Sequence, residues 1–213
     1  MKIALISVAP PYRGGISTHS AILSQYLSKT HSVEVFNFNR QYPSFLFPGK
    51  TQFFNNGEFP SFKSNNIIDS IGPKSWKITA RHIIEYAPDL IIYRFWNPFF
   101  GLSMGSIAKS IRKISPQIKQ IALCDNVIPH ESSFIDKWLT MRLFNRLDGF
   151  LVQSDGVKNE LKNYIKTYCE ELGNKTFYNC INTYTSVKYQ NKSRISIKIF
   201  SNGNVQLAGV LNV

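Results

Sequence analysis

Short apolar runs alternate with longer amphipathic stretches along most of this chain. Ile3–Val8, Val33–Phe38, Leu90–Tyr93, Gln120–Cys124 and Gly149–Val152 are nearly continuous apolar runs, as strands buried on both faces require. Between them Ile16–Ser28, Lys74–Tyr86, Leu102–Lys113, Ile135–Arg146 and Gly156–Ile165 carry helical patterning. In the first helix Ile16, Leu23 and Leu27 share one face, which should pack on the sheet. Pro73, Ser132 or Ser133, and Ser154-Asp155 supply the chemistry of helix N-termini. This alternation predicts an α/β, Rossmann-like parallel sheet with helices on both faces over residues 1–165. Residues 39–66 break the rhythm with Pro, Gly, Asn and scattered aromatics and read as a long loop. After residue 166 the alternation ends. "RISIKIFSNGNVQLAGVLNV" reads as a β-hairpin around Ser201–Asn204, so 166–213 forms a tail of different character, possessing no terminating signal for its last strand.

Composition narrows the function classes. The 213 residues are 43% hydrophobic, enough for a core without disulfides or metals. Cys124, Cys169 and Cys180 show neither disulfide nor zinc-site spacing and are expected as free thiols. No run approaches the roughly 20 apolar residues of a membrane helix. Pro10, Pro11 and Arg13 follow the first apolar run where a signal peptide would need small residues, so a cytoplasmic protein is expected. The net charge of +12 favours anionic partners. It is spread along the chain, which favours phosphorylated ligands or the surface of an anionic membrane over nucleic acid.

Three stretches carry candidate chemistry. "PPYRGGISTHS" places Gly14 and Gly15 between the first strand and the first helix, where a backbone without Cβ atoms can approach an anion at a helix N-terminus. An ordinary turn needing positive φ would explain the same pair. "YRFWNPFFG" offers Arg94 for phosphate or carboxylate, with Trp96 and its neighbouring phenylalanines as either a stacking surface or core. "CDNVIPHESS" follows the fourth predicted strand, so Asp125, Asn126, His130 and Glu131 should share the carboxyl-end rim with the glycines or serve as loop and cap polarity. Ser154 caps the last helix or contacts the ligand.

In order and spacing, "PPYRGGISTHS", "NRQYPSFLFPGKTQF", "PDLIIYRFWNPFFG", "CDNVIPHE" and "DGFLVQSDGVKNEL" resemble the N-terminal half of glycosyltransferases of family four. The resemblance implies one half of a GT-B architecture, the acceptor-binding domain of an enzyme that moves a hexose from a nucleotide diphosphate sugar to a glycan or lipid-linked acceptor. It implies donor contacts from Gly14, Gly15 and Ser154, and an acceptor side formed by Arg13, His19, Arg40, Tyr42, Arg94, Trp96, Asn97, Asn126, His130 and Glu131. Family members carry His where this chain has Asp125, which places an anion beside the diphosphate; Asp125→His is then expected to speed transfer. No cofactor and no obligatory metal are implied. The family's donor-binding domain would have to come from a partner chain, leaving this one inactive alone. A noncatalytic module binding glycan or anionic lipid is the alternative, and nucleic-acid binding a weaker one. The tail resembles a strand pair of TATA-binding-like proteins of large DNA viruses.

Overall fold

The computed structural model describes residues 1–43, 51–54, 63–125, 133–152 and 154–172, with strand residues 185–186, 196–199 and 205–208. In chain order the elements are β1 (Lys2–Ile6), α1 (Gly15–Leu27), β2 (Ser32–Arg40), β3 (Asn65–Asp69), α2 (Pro73–Tyr86), β4 (Leu90–Phe95), α3 (Gly101–Ile114), β5 (Lys119–Cys124), α4 (Phe134–Phe144), β6 (Gly149–Val152), α5 (Asp155–Leu172), β7 (Thr185–Ser186), β8 (Ser196–Ile199) and β9 (Val205–Ala208). The first seven strands form one sheet in the order β3-β2-β1-β4-β5-β6-β7. All its pairings are parallel, whereas β8 and β9 pair antiparallel on their own.

Because side chains alternate along a strand, each strand feeds two separate cores. Ala4, Ile6, Phe36, Tyr93, Phe95, Ala122 and Phe150 join residues of α2 to α5 on one face. Ile3, Leu5, Val35, Ile92, Ile121 and Leu151 lie on the other, where Leu23 and Leu27 of α1 are the helical residues of the cluster. Ile16, expected beside those leucines, packs instead against the first cluster. The face of α1 that meets the sheet holds Ser17, Ser20, Ala21 and Ser24, small side chains that let the helix sit close.

Two differences from the sequence reading have physical causes. The loop expected over 39–66 overlaps strand at both ends: β2 runs on to Arg40, and Asn65 already belongs to β3. The β3 sequence Asn-Asn-Ile-Ile-Asp has one fully buried apolar residue, Ile68, because an edge strand needs little burial, and its register against β2 shifts twice. Helix α5 extends to Leu172, so the expected boundary at residue 165 falls inside it, and β7 continues the sheet beyond β6. The expected turn at Ser201–Asn204 lies outside the described residues.

Charge that looked spread along the sequence is unevenly placed on the elements. Helix α1 has no charged residue. The α2, α3 and α4 sequences carry Lys74, Lys77, Arg81, Lys109, Arg112, Lys113, Lys137 and Arg142 against Glu85 and Asp136. Those three helices lie side by side, and α3 meets α4 through glycine: a Cβ on Gly101 would stand 2.0 Å from the Leu139 carbonyl oxygen, and one on Gly105 2.7 Å from that of Arg142.

Candidate functional site

The carboxyl end of β1 opens into a turn fixed by the strand beside it. Asn37 of β2 accepts from the Ala9 amide at 3.0 Å and donates to the Ala9 and Pro10 carbonyls at 3.0 and 3.3 Å. The following residues run beside 52–54: Arg13 N donates to Gln52 O at 2.8 Å, Phe54 N to Pro11 O at 2.9 Å, and the rings of Tyr12 and Phe53 lie 4.8 Å apart. Burial raises the pKa of Tyr12, whose hydroxyl accepts from the Gln41 amide.

Gly14 then adopts φ 129° and ψ 162°, a conformation open essentially to glycine alone, and caps α1 with no side chain. Gly15 has an ordinary helical φ, and a Cβ there would meet nothing within 4 Å. The first turn of α1 contains no acidic residue to meet its amides and partial positive charge. Ser17, in the same turn, has a buried hydroxyl with no hydrogen-bond partner among the described residues.

Behind this turn the α1-facing sides of the central strands turn polar. Period-two alternation along β4 sends Leu90, Ile92 and Arg94 toward α1, and the same parity carries Asp125 there after β5. Arg94 is 3% exposed. Its Nε donates to Asp125 Oδ2 and its Nη2 to Asp125 Oδ1, both at 2.6 Å. Its Nη1 donates to His19 Nδ1 and, at 3.3 Å, to Ser20 Oγ, which also lies 2.7 Å from Ser7 Oγ. Since a guanidinium can only donate, His19 Nδ1 must accept, which places the imidazole proton on Nε2. Burial, then the Arg94 charge, lowers the His19 pKa, with Asp125 opposing, so the ring is neutral at pH 7.

The remaining candidates separate. Tyr42 and Trp96 belong to an aromatic ledge on the other face: Tyr42 stacks on Phe99 at 5.6 Å, and Trp96 lies 4.4 Å from Phe100. Arg40 is paired with Asp69 at the β2–β3 edge, Nε to Oδ1 at 2.9 Å. Burial alone would raise the pKa of Asp69, but hydrogen bonds from Arg40 and the Ile71 amide outweigh it and hold the carboxyl below its ordinary value. Asn97 Oδ1 accepts from Phe99 N at 2.9 Å and caps a 3-10 turn, and Ser154 Oγ accepts from Val157 N at 3.2 Å and caps α5. Arg13 is exposed. Asn126, His130 and Glu131 lie outside the described residues.

Sequence reading named Arg94, Asp125 and His19 without linking them, and it missed Ser7, Ser17, Ser20 and Asn37. The interruptions of apolar runs by Ser7 and Asn37, level with Arg94 across the sheet, are the signal that could have found two of these. Asp125 is also not the lone anion the sequence suggested, because Arg94 neutralises it.

Among the described residues no helix is long and apolar enough to cross a membrane, and no group of His, Cys, Asp and Glu could hold a metal ion. Cys124 is a free, buried thiol whose pKa is raised by that burial. Compared with known proteins, the chain matches no family model and no curated protein.

Proposed function

We propose that this chain is the acceptor-binding half of a glycosyltransferase that moves a hexose from a nucleotide diphosphate sugar to a glycan or lipid-linked acceptor. The reading combines the motif resemblance with one structural observation: the N-terminus of α1, capped by Gly14, is open above Gly15 and holds the buried, unpartnered hydroxyl of Ser17. Amides, dipole and hydroxyl together favour a diphosphate. His19, neutral and oriented by Arg94, offers Nε2–H to a sugar hydroxyl or a bridging oxygen. Asp125 keeps Arg94, and through it His19, in place; with both oxygens accepting from Arg94 it is a positioning residue rather than a base. On this reading a donor-binding domain, which has no counterpart among the described residues, supplies the remaining donor contacts, so weak donor binding without turnover is the expected behaviour of residues 1–213 by themselves.

Calorimetric titration with UDP-hexose and GDP-hexose tests the reading, alongside a turnover assay with and without a candidate donor domain. Saturable binding lost in Gly15→Val supports it, while failure of every nucleotide sugar to bind, or robust turnover by the lone chain, sinks the half-enzyme reading. The occupied carboxylate of Asp125 also favours a noncatalytic glycan-binding module, which predicts glycan binding with no turnover even after reconstitution.

A further inference from the structure

The start of α4 carries three large apolar side chains outside the core, beside Asp136 and Lys137. Phe134, Ile135 and Trp138 are 82%, 65% and 49% exposed, whereas Thr140, Met141, Leu143 and Phe144 in the rest of the helix are buried. At about 100° per residue, the three exposed side chains fall within one arc of roughly 100°. The patch is held rigidly: Ser133 Oγ accepts from Asp136 N at 3.2 Å, and Asp136 accepts from Ser133 N at 3.0 Å. Arg142 lies over the Trp138 ring, 5.4 Å from its centroid. The helix starts beyond the carboxyl end of β5, on the rim that carries the candidate site.

We infer that this turn, with the lysine-rich outer faces of α2 and α3, docks the protein on an anionic lipid surface. Size and charge select that occupant. With exposed side-chain area of the order of 400 Å², from about 150–250 Å² per aromatic residue, the patch falls short of the about 800 Å² per partner that a specific protein interface buries. A bilayer needs less: a few inserted apolar side chains, a Trp at the headgroup level, and cations to meet lipid phosphate. Lys74, Lys77, Arg81, Lys109 and Lys113 are exposed on the adjoining helices, with Glu85 the exposed acid on α2 and none on α3. The inference rests on the proposed acceptor reading only for its purpose, bringing a lipid-linked acceptor to the rim.

The experiment is flotation of the full chain with phosphatidylcholine vesicles, with and without roughly 30 mol% phosphatidylglycerol, and with no glycosyl acceptor present. Wild type is expected to float with the anionic vesicles only and to be released near 0.5 M salt, where screening is within about 4 Å. Phe134→Ser/Trp138→Ser should weaken binding at least about tenfold, as should Lys74→Glu/Lys77→Glu on charge alone. No binding by wild type, binding as tight as wild type by either variant, or a wild-type dimer that the apolar double variant dissociates would overturn the inference. Titration of UDP-hexose into the same proteins separates the two readings. The vesicle variants should retain wild-type nucleotide-sugar binding, and a protein that binds vesicles but no nucleotide sugar refutes the donor site alone.

Discussion

With its guanidinium 3% exposed and hydrogen-bonded to Asp125, His19 and Ser20, Arg94 has no access to water that could replace a lost partner. Arg94→Met leaves Asp125, 17% exposed, without its counter-ion, and should cost about 3 kcal/mol in urea unfolding; Arg94→Met/Asp125→Leu should recover most of that. By the same argument Asp125→His, expected from the motif alone to speed transfer, should destabilise the fold, because it sets an imidazole against a buried cation. His19 gives a pH signature. Its folded pKa lies below the ordinary value of about 6.5, so as pH falls through that value the unfolded chain takes up the proton first and stability declines until His19 itself is charged. Between pH 7 and 5 the urea midpoint of His19→Gln should therefore fall less steeply than that of wild type. Gly14→Ala should cost about 1–3 kcal/mol for its φ of 129°, whereas Gly15→Val, with open space around its Cβ, should leave stability unchanged or raise it by about a few tenths of a kcal/mol through helix propensity, and act on ligand binding. The Gly pair was visible in the sequence, but which glycine the backbone demands was not, since the two differ only in a dihedral angle.

The contact between α3 and α4 is made by backbone where glycine allows it. Gly101→Ala and Gly105→Ala force the helices apart and should lower stability by about 1–3 kcal/mol or more in urea unfolding, the former more because its Cβ meets a carbonyl oxygen at 2.0 Å. Gly156→Ala, on α5 with only Ser154 Oγ near at 3.6 Å, should instead stabilise by about 0.5–1 kcal/mol through helix propensity. The two outcomes separate packing from propensity. The long central strands and all five helices were legible in the sequence because periodic burial sets them, and Ser133 was legible as a cap. β3 was not, because pairing with β2 at an edge demands so few apolar residues. Nor was the close contact of α3 with α4: Gly101 and Gly105 are spaced one helical turn apart, but sequence spacing does not say what faces them.

For the molecule as a whole, the alternation of elements disclosed the fold class, while the clustering of cations on α2 to α4 became visible only once crossover connections gathered distant segments into one layer. The end of the alternation near residue 165 marked a change of character that the helix itself ignores. A chain ending at Ile165 cuts α5 and should still unfold in one transition, but below the melting temperature of a chain ending at Leu172, by about 2–4 °C for each kcal/mol lost. Circular dichroism melts of the two decide it, and loss of cooperativity in both would show that later residues complete the sheet. The strand order has a further consequence, in time. β1 is made first yet lies between β2 and β4, so its second edge stays open until Leu90–Tyr93 have been synthesised. At about 5–20 residues per second the nascent chain carries that apolar edge unpaired for on the order of ten seconds. A strand whose residues Ile3–Ile6 are fully buried in the finished protein is thus one that depends long on protection during synthesis.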